Sequence, residues 1–305
     1  MAEGIIGFAE SQLKRLGMLM ANSVELMDKL KNNTGVFEHS FEKEFDKDHM
    51  SVNLHFRKSS QSGHSFINKF EASLRKEGQS DEIKQTFFVP NETKMVHSDS
   101  GDIRYDNKYT LKESYNLLSG RPVFKNLLAK DGVGYEAWVK LDSKKKLDNG
   151  NHELKLYNKN YGFSLESVLK EYSIKELANP QYKANLIDSL HRGNLQKATF
   201  VGNEGNERQL FISPSITTGS LNIYDESRKR VPLERLLNDS FISKGLVDKL
   251  KERFGEKQTQ TANGPAAQVE KETVKKVEKI GTTNVQKETQ RTSSGKKRKR
   301  KANIE

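Results

Sequence analysis

No cysteine occurs anywhere in the 305 residues, so no disulfide can staple the chain and no zinc site can rest on thiolates. Tryptophan occurs once, as Trp138, and proline only six times. Long apolar runs are missing too, and no window approaches the roughly 18 uncharged apolar residues of a membrane span. Apolar residues make up 33% against 30% charged ones, a lean allowance for a core, so part of the chain is expected to stay unfolded. The opening Met1-Ala-Glu-Gly-Ile-Ile6 lacks a cationic lead, and Lys14 and Arg15 interrupt its apolar stretch. No secretory signal is therefore expected, and the chain reads as cytoplasmic.

Catalytic and cofactor motifs are also wanting. There is no G-x-x-x-x-G-K-[ST] and no G-x-S-x-G, so neither a phosphate loop nor a nucleophile elbow is expected. Gly132-Val-Gly134 lacks the third glycine of a dinucleotide loop. The seven histidines, His39, His49, His55, His64, His97, His152 and His191, include no i, i+4 pair with a glutamate. Asp46, Asp48 and His49, and likewise Asp99 with Asp102, read as exposed turns, since a calcium loop needs more ligands at regular spacing. The expectation is a non-enzyme without metal or cofactor.

What is present begins with charge. The net charge is +11, and from Glu256 onward 13 Lys and Arg stand against 6 Glu, a net of +7 in that stretch alone. Lys296, Lys297, Arg298, Lys299, Arg300 and Lys301 are consecutive. After Phe254 no aromatic residue remains, and the Gln, Thr, Lys and Glu that follow cannot offset the entropy of ordering. Residues 255–305 therefore read as a disordered basic tail, with Val274, Val277 and Ile280 able at most to form a transient helix on a partner.

At the other end, Ile5, Phe8, Leu13, Leu16, Leu19, Met20, Val24, Met27 and Leu30 recur at helical spacing, predicting one amphipathic helix over 1–32. Residues 33–107 read as β-rich. Val52, Leu54 and Phe56 alternate with polar residues, the period of a half-buried strand. Phe66 to Phe70 and Thr86 to Val89 form two further strand patterns, before Pro90 and the Ser98 to Asp102 loop.

Beyond Tyr109 two stretches can be laid side by side. Gly120 matches Gly193, Asp131-Gly132 matches Glu204-Gly205, and Ala137-Trp138-Val139 matches Leu210-Phe211-Ile212, all at an offset of 73 residues. Glu153 to Tyr157 then matches Ser220 to Tyr224, and Phe163 to Leu169 matches Val231 to Leu237. Each stretch predicts a helix ending at a glycine, two strands about an acidic-Gly turn, a third strand ending in tyrosine, and a short helix. Ser164 is placed to cap that helix in one, and Pro232 to open it in the other. Trp138 and its match Phe211 both read as core positions. Helices are also expected over Ile174–Leu177, Tyr182–Leu190 and Ser243–Phe254. The fold class is α+β, with tandem duplicated helix–β–β–β–helix units of antiparallel sheet at 108–182 and 183–254.

The run Leu117-Leu-Ser-Gly-Arg121, Tyr135-Glu-Ala-Trp-Val-Lys-Leu141, Tyr161-Gly-Phe163, Ile174-Lys-Glu-Leu177, Arg192-Gly-Asn-Leu-Gln196, Thr199-Phe-Val201 and Asn222-Ile-Tyr-Asp225 resembles a domain-of-unknown-function family of Bacteroidetes-type bacteria. That family is common on conjugative and other mobile elements, and is sometimes found with topoisomerase-like modules. The resemblance spans about residues 108–236. It implies a bacterial cytoplasmic protein in the company of DNA processing. It carries no reaction and no catalytic residues.

Three basic clusters are candidates for nucleic-acid contact. Lys296 to Lys301 can displace condensed counterions from a phosphate backbone without reading sequence. Arg228, Lys229 and Arg230 are expected at a turn after a strand, and Lys144, Lys145 and Lys146 in a loop before the matching strand. Tyr157, Tyr161 and Tyr224 lie near them in sequence, where stacking on unpaired bases is conceivable. Two functions follow: a non-catalytic accessory protein of mobile-element DNA transactions, contacting DNA or RNA weakly through its tail, or an adaptor that docks a DNA-processing protein on the repeated units. In a eukaryote the same tail would read as a nuclear import signal.

Overall fold

The computed structural model describes residues 2–32, 35–97 and 101–252; the tail, with its Lys296–Lys301 cluster and the 255–305 boundary, lies outside the described residues. Helix α1 (Ala2–Leu16) and helix α2 (Val24–Asn32) are joined by a 3-10 turn, Leu19–Ala21. The expected single helix is thus two. Gly17 takes a left-handed conformation (φ +69°) that ends α1, and the Ser23 hydroxyl accepts from the Leu26 amide at 3.2 Å to start α2. The break moves the apolar stripe. Leu13, Leu16 and Leu30 stay buried, Met18, Ala21 and Leu26 join them, and Phe8, Leu19, Met20 and Val24 are left exposed.

Four long antiparallel strands follow, β1 (Val36–Phe45), β2 (Asp48–Lys58), β3 (Ser65–Arg75) and β4 (Glu82–Phe88), in the order β1-β2-β3-β4. Their inner face is read off the period of two. Met50, Val52, Leu54 and Phe56 of β2 are buried, as are Ile67, Phe70, Ala72 and Leu74 of β3. The skipped beat between Ile67 and Phe70 is a bulge, where the β2–β3 register shifts between His55 and Phe56. Gln12 of α1 reaches that break and accepts from the Ile67 amide at 2.9 Å. His39 of β1, buried, meets the Ala21 carbonyl at 3.0 Å, fixing the 3-10 turn to the sheet. A short ribbon, β5 (Lys94–Val96) with β6 (Ile103–Tyr105), completes this half.

The second half contains helix α3 (Leu111–Leu118), strands β7 (Val123–Leu128), β8 (Gly134–Lys146) and β9 (His152–Asn158), and helix α4 (Leu165–Leu169). Then come a 3-10 turn at Lys175–Ala178, helix α5 (Pro180–His191), strands β10 (Gln196–Val201), β11 (Glu207–Ser215) and β12 (Ser220–Tyr224), helix α6 (Leu233–Asn238), and a final helix α7 over 244–252. Each strand trio is an antiparallel sheet in sequential order. Their registers correspond: Val123 pairs Val139 as Gln196 pairs Ile212, and Trp138 pairs Tyr157 as Phe211 pairs Tyr224. Gly120 and Gly193 both end their helices left-handed, and Gly132 and Gly205 both turn their hairpins so. Thr110 closes a full capping box on Glu113. Ser164 caps α4 through the Ser167 amide at 3.3 Å, and Pro232 occupies the cap of α6 itself, one residue earlier than expected.

One apolar cluster runs from Ala9 of α1 through the four-stranded sheet and α3 to Leu141 of β8. The N-terminal β-rich section and the first strand trio therefore share a core. Buried Gln85 on the edge strand β4 joins them further, accepting from the His152 amide at 2.8 Å and donating to its carbonyl at 3.3 Å. No helix among the described residues is long and apolar enough to cross a membrane.

Candidate nucleic-acid interface

Two tight turns, Asp46 between β1 and β2 and Arg228 after β12, meet across a cleft whose back wall is α3. The cleft encloses about 870 Å³. Its lining gathers Lys14 and Arg15 from the end of α1, Lys43 from β1, Lys112 from α3, Arg121 from the turn after α3, Arg192 from the turn after α5, and Arg228. Against these seven cations stand only Asp46 and Glu113. Glu113 is committed to Lys125 at 3.0 Å and Asp46 to Arg228, while Arg192 pairs with Asp188 at 2.5 Å. Among the described residues, Lys14, Arg15, Lys43, Lys112 and Arg121 have no carboxylate in ion-pair reach.

A second cleft of about 500 Å³ shares the wall formed by Asp46, Tyr115, Arg121, Leu195 and Arg228 and adds Lys47, Lys76 and Tyr224, but also the carboxylates Asp48, Glu77 and Glu226. On the other side, a cleft of about 590 Å³ shares Arg15, Thr110 and Glu113 and adds Arg104, Lys108, His64 and Phe8. The first cleft shares lining residues with each of the other two, which share none with each other, and it forms the centre of the groove.

The centre of the groove is an aromatic stack. Phe45 and Tyr115 lie ring on ring, centroids 4.2 Å apart and 17° from parallel. The Lys112 ammonium sits 4.7 Å and 4.6 Å from the two ring centroids, and the Arg121 guanidinium 5.0 Å from that of Tyr115. Ring faces attract cations but neutralise none, so the positive charge stays on offer. Arg121 is held by neutral acceptors only: its Nε donates to the Gly193 carbonyl at 2.9 Å and its Nη2 to Asn116 Oδ1 at 2.7 Å. Asn116 in turn donates to the Arg192 carbonyl at 2.7 Å. The helix ends after α3 and α5 are thereby clasped, and Gly193 sits so close that a Cβ there would come within 2.8 Å of the Pro122 carbonyl oxygen.

Burial is the main influence on the two lysines of the groove, and neighbouring cations add to it. Burial, then the neighbouring Arg121 and Arg228, pull Lys112 below the ordinary lysine range, with Asp46 opposing. Lys76 is lowered by burial and by Arg121, against the pull of Asp48. Burial lowers Arg121 as well, though a guanidinium keeps its charge at any ordinary pH.

Of the residues singled out from sequence, Arg228 enters the groove, with its guanidinium 3.9 Å from the Phe211 centroid. Phe211 is accordingly half-buried beneath Arg228 and Lys197, not the core residue expected, whereas Trp138 is buried among Phe124, Phe163 and His191. Lys229 is exposed and closes the same turn, its amide donating to Asp225 Oδ1, and Arg230 bridges back to Tyr224. Lys144, Lys145 and Lys146 stand on the last residues of β8 and not in a loop, with Lys145 paired to Glu153 at 3.1 Å; they line none of the three clefts. Tyr224 lines the groove, while Tyr157 and Tyr161 pack edge to face on each other elsewhere. Lys14, Lys43, Lys112 and Arg121 were not singled out, because each looks like an ordinary surface charge until five separate segments converge. The one local hint is Arg121 directly after a helix-ending glycine. No family model, no curated protein and no solved structure matches the chain.

Proposed function

We propose that the protein is a non-catalytic accessory component of mobile-element DNA transactions that holds nucleic acid by sequence-independent phosphate contacts along this groove, with Lys296–Lys301 of the tail as a second contact. The observation that carries the reading is the set of five groove cations, around an aromatic stack, that have no carboxylate partner among the described residues. A polyanion supplies what they lack, and contacts of ammonium and guanidinium groups to phosphate give affinity without sequence reading. The mobile-element setting rests on the motif resemblance alone. We also infer that the two strand trios descend from one duplicated unit. The inference is supported by the common registers, by the paired left-handed glycines, and by one side-chain bond repeated in both: Arg121 to Asn116 after α3, and Asn194 to Ser189 at 3.1 Å after α5.

The direct test is fluorescence anisotropy of a labelled single-stranded oligonucleotide with the full chain. A groove variant (Lys14, Lys43 and Lys112 each to Gln) is compared with a tail variant in which Lys296–Lys301 are replaced by Ala. The groove variant is expected to lose at least about tenfold in affinity, and the tail variant to lose less. Unchanged affinity in the groove variant would refute the groove as the binding face.

A further inference from the structure

Asp46 and Arg228 are two of the three non-glycine residues with a left-handed backbone among those described, at φ +60° and φ +61°. Such a conformation costs an arginine roughly 1–2 kcal/mol and an aspartate less, because its short polar side chain tolerates it. Each places its side chain into the shared wall of the groove, where the two form an ion pair across 182 residues of sequence. Arg228 also sits over the Phe211 ring, with its guanidinium carbon 3.9 Å from the centroid. A guanidinium fixed in that way presents its remaining donors as a planar fork, the geometry that matches a phosphate's two oxygens. Beside it, Lys112 and Arg121 converge on the Tyr115 ring with no carboxylate of their own.

We propose that Arg228, Arg121 and Lys112 form a discrete seat for one phosphate group of the ligand, and that Asp46 fills part of that seat in the unbound chain as an internal carboxylate that the phosphate displaces. The inference rests on the nucleic-acid reading for the source of the phosphate, but the seat itself is defined by its own residues. Asp46 and Arg228 are both more than a third exposed, and a pair so open to water is worth little in stability. Its exchange for a phosphate therefore carries a modest penalty and not a prohibitive one. Asp46 then acts as a selectivity device, raising the threshold for stray anions while a phosphate with several neighbours still wins.

A double-mutant cycle on the full chain tests this, with a labelled oligo-dT and with inorganic phosphate as the second probe. Asp46→Asn is expected to tighten oligo-dT binding about three- to tenfold, and Arg228→Gln to weaken it by a similar factor. In the Arg228→Gln background, Asp46→Asn should then gain at most about twofold. An equal gain in both backgrounds would mean that Asp46 acts only through net charge, and would overturn the seat, as would no gain at all. If oligo-dT does not bind but inorganic phosphate shifts the Arg228 Nε–H and Lys112 resonances, and does so more tightly in Asp46→Asn, the seat stands and the nucleic-acid reading falls. Phosphate that moves neither resonance, whether or not oligo-dT binds, overturns the seat.

Discussion

Gly193 shows how far a single residue can carry the architecture. Its left-handed backbone ends α5, and its missing side chain lets that turn lie against Pro122 and Val123 of the first strand trio. Gly132 has a similar φ of +77° but open space around it. Gly193→Ala is therefore expected to cost at least about 2 kcal/mol, and Gly132→Ala only about 1 kcal/mol, since strain alone acts at the second site while strain and collision act at the first. Urea midpoints at constant slope would check the order, and equal losses would contradict the close packing. His191, the last residue of α5, packs against Phe124 and Trp138 with ring centroids at 4.6 Å and 5.3 Å. Burial holds its imidazole below the ordinary histidine range. The unfolded ring takes up a proton below about pH 6.5 and the folded one resists, so stability is expected to fall as pH drops through that value and below. A His191→Phe variant should show a flatter acid limb in chemical denaturation. Glycine positions of this kind were legible as helix stops in the sequence. The collision that makes one of them irreplaceable was not, because it depends on which turn packs against which.

Among the secondary-structure elements, strand alternation and helix caps were the most legible features. The β2 pattern Val52, Leu54 and Phe56, the glycine ends of α3 and α5, and the Ser164 cap all lie where their local chemistry demands. What local chemistry could not supply was continuity. The N-terminal stripe fits a single helix, yet Gly17 divides it, because packing Met18 and Ala21 inward against the sheet outweighs extending one amphipathic face. The edge of β4 illustrates a second non-local device. Gln85 imitates a strand by giving and taking one hydrogen bond with the His152 backbone, and Asn151 Oδ1 accepts from the Thr86 amide at 2.9 Å. An otherwise bare edge is thereby closed by the β8–β9 hairpin. Gln85→Ala leaves the buried His152 amide without its acceptor and is expected to cost roughly 1–3 kcal/mol. Hydrogen exchange at His152 should rise more than exchange within β10–β12, and uniform acceleration would argue against a local role.

At the scale of the whole chain, two sources of positive charge differ in kind. The tail's six consecutive cations were evident from composition, while the groove is assembled from residues 14 to 228 and appears only in three dimensions. Burial of two groove lysines leads to a prediction of its own. Lys112 and Lys76 lose their protons at lower pH than ordinary lysines, and anion binding requires the protonated form. Affinity is therefore expected to fall, as pH rises towards the lysine range, before the ordinary lysines titrate, and binding there should take up protons. Calorimetry in buffers of different ionisation enthalpy would detect that uptake, and buffer-independent heats would contradict it. The central claim, that the groove and not merely the tail grips a phosphate backbone, is tested most directly by the salt dependence of oligonucleotide affinity in the full chain. Each phosphate contact contributes about −0.7 to the logarithmic slope on a single strand, so removing Lys14, Lys43 and Lys112 should flatten the slope by about 2. A slope unchanged by those substitutions, and lost only when Lys296–Lys301 are replaced, would leave the groove without its proposed role.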